Sequence, residues 1–402
     1  MVKRTQAGQL GRRSFLAGTA AAAAFTIVKP SLVRGTEANS TVTLGMIGCG
    51  GRGNWLVPLF GRQGKYRFVA CADYYQDRVD PFGEKTEIPA DRRFTGLLGY
   101  KRLLEQKLDG VVIETPTYCH PEQSADAVEA GKHVFVAKPI AVDAPGCLSI
   151  GESGKKATTK KLVFLVDFQT RADPTYQEAA RLVHGGALGK LVCGEARYPW
   201  AGGAMPAPAT PEERLRYWYC TKALSGDFIV EQNIHALDVA TWFLNAAPIR
   251  AYGTGGSKGL RKYGDIYDHF NVIFWFPNDV VLSFMGNQCS PGVPDLIGCR
   301  VYGSKGVADS DYYGRVWVRG ETKYEGDPIA NLFLSGAENN VRNFYKFITE
   351  GHYANETVEP SVRSNLTCVL GRDAAYRHGM LTWDEMIKAN ERLEPDLKGL
   401  KA

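Results

Sequence analysis

One glycine turn constrains this chain more than any other stretch. The apolar run Val42 to Ile47 has the residues of a short strand and stops at Gly48-Cys49-Gly50-Gly51-Arg52-Gly53. A second apolar run, Tyr66 to Ala72, ends at Asp73, 20 residues after Gly53, and the chain between has room for one helix. Strand, tight turn, helix, strand predicts a parallel pair in an α/β sheet. In that setting the spacing has a physical meaning. Gly48 permits the tight turn, Gly50 lets the backbone approach a pyrophosphate, and Gly53 lets helix and strand pack closely; the helix N-terminus offers N–H groups to the anion. Gly51 and Arg52 belong to the same turn. Asp73 can accept two ribose hydroxyls and would repel a 2′-phosphate, which predicts NAD over NADP, although Arg78 nearby blurs the preference. An ordinary glycine-rich turn is the plain alternative.

The alternation continues. Tyr100 to Gln106 reads as helix, Gly110 to Glu114 as strand, Pro121 to Ala130 as helix, His133 to Val136 as strand, and Pro145 to Ala157 as helix. A second region starts with a strand at Lys161 to Val166, a helix at Thr175 to His184 and a strand at Lys190 to Tyr198, followed by a proline-rich loop. A long helix over 227–244 precedes strand-like segments at Phe270 to Phe276, Val280 to Met285, Cys299 to Tyr302 and Arg315 to Val318. More consecutive strands with fewer crossovers predict a mostly antiparallel open sheet with helices on one face. The expected fold class is α/β, an N-terminal Rossmann domain plus a C-terminal α/β domain. The expected boundaries are 1–38 for a leader and linker, 39–158 for the nucleotide domain, 159–365 for the substrate domain, and 366–402 for a helical segment packing back toward the first domain.

The formal charge of +5 belongs to the leader: residues 1–38 hold six bases and one acid, leaving 42 bases and 42 acids. A neutral body gives little counterion-release drive, and no zinc-finger spacing or basic recognition helix is present, which argues against nucleic acid. Gly11-Arg12-Arg13-Ser14-Phe15-Leu16 before an alanine-rich run reads as a twin-arginine export signal, and predicts a periplasmic or extracytoplasmic protein. The apolar stretch Phe15 to Val28 is 14 residues, shorter than the roughly 20 that cross a bilayer, so no span is expected in the mature chain. Nine scattered cysteines, none in C-x-x-C, read as buried small hydrophobes rather than a disulfide framework or metal site.

Thr115-Pro116 follows a strand where loops face the cofactor, and Lys138 ends an apolar strand before Pro139, pointing into the crevice. His120 is read first as a cap for the helix near Pro121 and second as a catalytic group. Glu231, His235, Asp238 and Trp242, spaced four, three and four, fall on one face of the predicted helix, giving an acid/base histidine flanked by carboxylates. A surface salt bridge is the alternative; a third ligand is missing, so no metal is expected. Arg171, Trp200, Trp218, Tyr219, Asp268 and His269 are further pocket candidates, with aromatic faces for sugar C–H surfaces and charges for vicinal hydroxyls.

Together Gly48-x-Gly50-x-x-Gly53, Thr115-Pro116 to His120, Gly131-Lys132-His133-Val134, Lys138-Pro139 and Glu231-x-x-x-His235 resemble the Gfo/Idh/MocA oxidoreductases, the glucose-fructose oxidoreductase and inositol dehydrogenase group. The likeness runs from about residue 41 to the C-terminus. It implies catalytic roles for Lys138 and His235, a sugar, glycoside or cyclitol substrate, tightly bound NAD, and a homo-oligomer formed through the second domain's open sheet. Two departures matter: Ala137 replaces the acid before the lysine, and Glu231 replaces an aspartate before the histidine. The family's glycine between them is Asn233 here, expected as a substrate contact. The expected activity is hydride transfer between a sugar or cyclitol carbon and NAD. Redox-neutral glycoside cleavage through a transient keto-sugar is the alternative, and a non-enzymatic sugar-binding protein is the third reading.

Overall fold

The computed structural model describes residues 41–202, 207–259, 264–292 and 296–402. The expected export signal around Arg12 and Arg13 lies outside the described residues. Six strands, β1 (Val42–Ile47), β2 (Tyr66–Asp73), β3 (Arg93–Thr95), β4 (Gly110–Ile113), β5 (His133–Ala137) and β6 (Phe164–Asp167), form a parallel sheet in the order β3-β2-β1-β4-β5-β6. β4 is buried along its whole length, the pattern of a strand covered by helices on both faces. Strand order reverses between β1 and β4, and a crevice opens at their C-terminal ends, where Gly48 and Glu114 follow.

β6 corrects the expected boundary at 158. Its Phe164 pairs in parallel with Val134 of β5. The helix Ala144–Thr159 serves as the crossover that returns the chain beside β5, so the strand expected over 161–166 forms as Phe164–Asp167 in the first sheet rather than opening the second.

Nine strands form the second sheet: β7 (Leu191–Pro199), β8 (Arg250–Gly256), β9 (His269–Trp275), β10 (Val281–Asn287), β11 (Gly298–Gly303), β12 (Gly306–Asp311), β13 (Val316–Gly320), β14 (Tyr324–Glu325) and β15 (Met380–Thr382). All neighbours are antiparallel except β7 and β10. Burial alternates along β9 and β10, as in a sheet with one packed and one open face. The helices Ile234–Leu244 and Val358–Tyr376 cover the packed face.

The C-terminal region differs from a helical segment beginning at 366. The helix Val358–Tyr376 lies between the two sheets, packing on Ala144–Thr159 and on β8 and β9. Its Asn365 accepts the Ile140 N–H at 3.0 Å and donates to the Ala141 carbonyl at 3.0 Å. The earlier helix Leu332–Glu350 also enters the first core, with Ala337, Val341 and Phe344 packed beside Phe60 and Phe135. β15 then joins the second sheet.

Among the described residues, none of the nine cysteines forms a disulfide. Cys193 and Cys289 are exposed and Cys119 is half-buried, so only six fit the buried-hydrophobe expectation; β7 presents Cys193 on a solvated stretch, Leu191–Cys193, near its start. Among the described residues no helix is long and apolar enough to cross a membrane.

Candidate active site

Two adjoining cavities open at the crevice, sharing Arg52, Glu114, Thr115 and Trp218 in their walls. The first is built on the glycine turn. Gly48 has φ +100°, and a Cβ there would lie 2.4 Å from the Glu114 carbonyl oxygen. A Cβ on Gly53 would lie 2.2 Å from the Gly48 oxygen, so Gly53 is a packing residue rather than part of the wall. Gly50 and Gly51 face the cavity directly before and at the start of the helix Gly51–Arg62. Asp73 ends β2 with Oδ2 accepting the Cys49 N–H at 2.8 Å and Oδ1 accepting the Tyr75 N–H at 3.1 Å. Burial pushes its carboxyl above the usual range despite those donors and Arg78, whose Nη1 is 4.0 Å away. Thr115 and Pro116 line the same wall, with Thr115 Oγ1 donating to Gln123 at 2.6 Å. This cradle, lined by Gly48, Gly50 and Gly51 with Asp73 on its far wall, fits a dinucleotide.

The second cavity collects the residues read as catalytic. The helix expected over 227–244 breaks here. Asn233 donates to the Phe228 carbonyl, a wide turn, and His235 to the Gln232 carbonyl, a tight one, leaving separate helices at Phe228–Glu231 and Ile234–Leu244. The break takes His235 off the face of Glu231, so the expected orientation of His235 by flanking carboxylates is not formed. His235 Nδ1 is buried without a partner among the described residues. Asp238 instead pairs with Arg171, whose Nη2 and Nε lie 2.8 and 3.1 Å away. Lys138, Glu231 and His235 nevertheless line one cavity. Lys138 Nζ donates to the Glu231 carbonyl at 2.7 Å, with Glu231 Oε1 at 3.9 Å. Burial lowers the Lys138 pKa, which Glu231 partly restores, and burial together with Lys138 and Arg52 holds His235 well below the ordinary histidine value.

His120 is buried between two carbonyls, Nδ1 2.8 Å from Pro139 and Nε2 2.9 Å from Thr115. Burial pushes it down to about 4, so the ring is neutral and its single N–H donates to one of the two carbonyls, between the loops that carry Thr115 and Lys138. Arg52 donates to Asp167 at 2.5 Å, and its guanidinium lies 4.5 Å from the Trp55 ring centroid and 4.6 Å from that of Phe333. Asp167 in turn accepts from Asn340 at 2.8 Å.

Several expected pocket residues lie elsewhere. Arg171 is spent on Asp238 and stacks over Trp242, 4.9 Å from the ring centroid. Asn233 is buried against β10: a Cβ on Gly286 would lie 2.1 Å from its Oδ1. Trp200 packs against the core beyond β7. Asp268 accepts the Lys258 N–H at 2.5 Å and holds His269 Nδ1 at 2.7 Å, away from both cavities. Tyr219 makes an edge contact with Trp218, ring centroids 6.3 Å apart, and only Trp218 reaches the walls.

Sequence reasoning missed Glu114, Thr117, Asp167, Gln169 and Phe333, all in the second cavity's wall, and Tyr312, whose ring centroid is 5.3 Å from that of His235. Glu114 and Asp167 carried a signal: each is a charge directly after an apolar strand of a parallel sheet. Among the described residues, Arg52 Nη1, Glu114 Oε1, Thr117 Oγ1, Gln169 Oε1, His235 Nδ1 and Tyr312 OH are buried without hydrogen-bond partners. Buried polar groups are nearly always paired, so this concentration around one cavity marks the place a polar ligand completes.

Residues 42–167 match the oxidoreductase family with an NAD-binding Rossmann fold, and residues 176–309 match the GFO/IDH/MocA C-terminal domain. The chain is 30% identical over 215 residues to the scyllo-inositol 2-dehydrogenase (NAD(+)) of Bacillus subtilis, covering 52% of this chain and 56% of that protein. It is 25% identical over 286 residues to the inositol 2-dehydrogenase of Rhizobium meliloti, covering 67% and 78%. The fold matches an aldose-aldose oxidoreductase from Caulobacter crescentus with a TM-score of 0.68 at 18% identity, covering 85% of this chain and 99% of that one.

Proposed function

Because the chain belongs to the GFO/IDH/MocA oxidoreductase family, with the NAD-binding Rossmann fold in its first part and the family's C-terminal domain in its second, we propose that it dehydrogenates a secondary hydroxyl of a neutral cyclitol or sugar. The observation that carries this reading is the cluster of unpartnered polar atoms beside Lys138 and His235, adjoining the glycine cradle. Gly48, Gly50, Gly51 and Asp73 would hold NAD, which when bound supplies the hydride acceptor. His235, kept neutral by burial, takes the hydroxyl proton. Lys138, anchored on the Glu231 carbonyl, donates a hydrogen bond to the same oxygen as charge develops there. Glu231 holds the lysine rather than the histidine. Trp218, at the junction of the two cavities, helps exclude water.

The charges in the wall favour an uncharged substrate. Arg52 is matched by Asp167 and Lys138 by Glu231, leaving no surplus to attract an anion. The similar proteins named above are dehydrogenases and an oxidoreductase, which does not favour redox-neutral glycoside cleavage. The test is a panel of inositols and aldoses deuterated at the carbinol carbon, with mass spectrometry of the nucleotide before and after addition. Deuterium in the nucleotide is expected with at least one cyclitol or sugar; none across the panel overturns the reading.

The open face of the second sheet supports self-association. Tyr252, Met285 and Met380 are exposed large hydrophobics on β8, β10 and β15, with Met380 and Tyr252 directly paired across neighbouring strands, side chains that a second copy would take out of water. The Arg12-Arg13 sequence supports export before this assembly meets substrate. Light scattering of the exported protein should give a multiple of the chain mass, and its N-terminal sequence should start beyond the leader; a monomer, or an uncut cytosolic chain, would contradict the respective proposal.

A further inference from the structure

Glu114 is the least expected group in the site. It follows β4 at the strand-order reversal, its N–H donating to the Ile47 carbonyl at 2.7 Å and its own carbonyl packed against Gly48. The β4–β5 register pairs Ile113 with Val136, which sets Glu114 alongside Ala137, whose methyl leaves the space between them open. The carboxyl therefore reaches the seam shared by both cavities.

A buried carboxylate needs donors, and Glu114 Oε1 has none among the described residues. Of the nearby cations, Arg52 gives Nη2 to Asp167 while its Nη1 is itself without a partner, and Lys138 is anchored on Glu231. Asp167 adds a like charge from β6. Across the cavity stand His120, Glu231 and His235, with both histidines held neutral by burial; Tyr312, beside His235, is pushed up by its own burial. A neutral carboxylic acid suits these surroundings, because it presents one donor and one acceptor side by side, the complement of an alcohol.

We propose that Glu114 is a specificity-determining residue that binds substrate as a neutral carboxylic acid, its O–H donating to one polyol hydroxyl while its carbonyl oxygen accepts from the same or a neighbouring hydroxyl. This rests on the dehydrogenase reading above. Burial, with help from Asp167 and against Arg52 and Lys138, pushes the carboxyl up to about 8. The neutral form therefore prevails at neutral pH, and substrate affinity falls as pH rises through that value.

The experiment compares wild type with Glu114→Gln, which keeps a donor and an acceptor but cannot ionise, and with Glu114→Leu, which keeps neither. Wild-type KM for the best panel substrate is expected to climb on the alkaline side. Glu114→Gln should lose that climb, and Glu114→Leu should raise KM about 10- to 100-fold at neutral pH with a smaller change in kcat. A climb that persists in Glu114→Gln belongs to Lys138 and overturns the proposal, as does an unchanged KM in Glu114→Leu. Infrared difference spectra between wild type and Glu114→Gln need no turnover. A protonated-carboxyl stretch at neutral pH that shifts when substrate is added supports the role, and its absence overturns it. If wild type oxidises nothing in the panel, the dehydrogenase reading falls instead, and the same band still decides whether the carboxyl is neutral.

Discussion

Turnover by His235→Ala is expected to be about 10²–10⁴ times slower than wild type, the usual worth of a positioned acid/base. Single-turnover formation of reduced nucleotide at saturating cofactor is the measurement, because it reads the hydride step without product release. Lys138→Met should lose a similar factor, for a different reason. Its ammonium polarises the reacting oxygen, so kcat falls while KM changes less. The sign of the pH dependence follows from burial. His235 is depressed well below 6.5 and stays a competent base down to that lower value, so the activity of wild type should show no acidic limb near the ordinary histidine pKa. A limb there would mean that the ring is solvated and not the base. Unchanged turnover in both variants would remove the proton-transfer assignment altogether.

The separate roles of His235 and Lys138 depend on a break that periodicity does not show. Residues 227–244 read as one helix, with Glu231, His235, Asp238 and Trp242 at helical spacing on one face. The wide turn at Asn233 is a tertiary result. Its side chain is buried against Gly286 of β10, and no local propensity encodes that contact. Legibility followed the same division elsewhere. The glycine turn, the strand ends and Lys138 were readable because local sterics and strand order place them. Arg171 and Asp268 misled because a charge near a strand end serves a buried pair as readily as a ligand; the pairing of Arg171 with Asp238 spans 67 residues and has no sequence signature. Phe333 and Tyr312 reach the site from distant segments, and nothing in their neighbours marks them. Glu114 and Asp167 were within reach, since each is the first charge after an apolar strand. The β6 boundary was missed because an edge strand closing one sheet and a strand opening the next have the same apolar pattern until a crossover is assigned.

The second large effect concerns the glycine turn, where a methyl group has nowhere to go. Gly48→Ala places a Cβ 2.4 Å from the Glu114 carbonyl oxygen and 2.9 Å from the Thr115 nitrogen, both backbone atoms, at a φ of +100° that L residues rarely adopt. Gly53→Ala meets the Gly48 oxygen at 2.2 Å without any unusual φ. Neither contact can be relieved by a rotamer change, so β1 must move relative to β4 or the helix Gly51–Arg62 must tilt. Each substitution is expected to cost about 2–4 kcal/mol, in the range of overpacking and backbone strain. Gly51→Ala is the stability control, since nothing lies within 4 Å of its would-be Cβ; it should stay within about 0.5 kcal/mol of wild type. Calorimetric melting of the three variants separates the cases, and a fluorescence titration with NADH reads the cradle. The Gly48 and Gly53 variants should melt several degrees lower and bind the nucleotide more weakly. Because Gly48 packs on the Glu114 backbone, its variant should also shift the infrared band of the Glu114 carboxyl, while Gly51→Ala should leave that band in place. A Gly53→Ala chain as stable as wild type would show that the close approach of helix to turn is not what the glycine spacing serves.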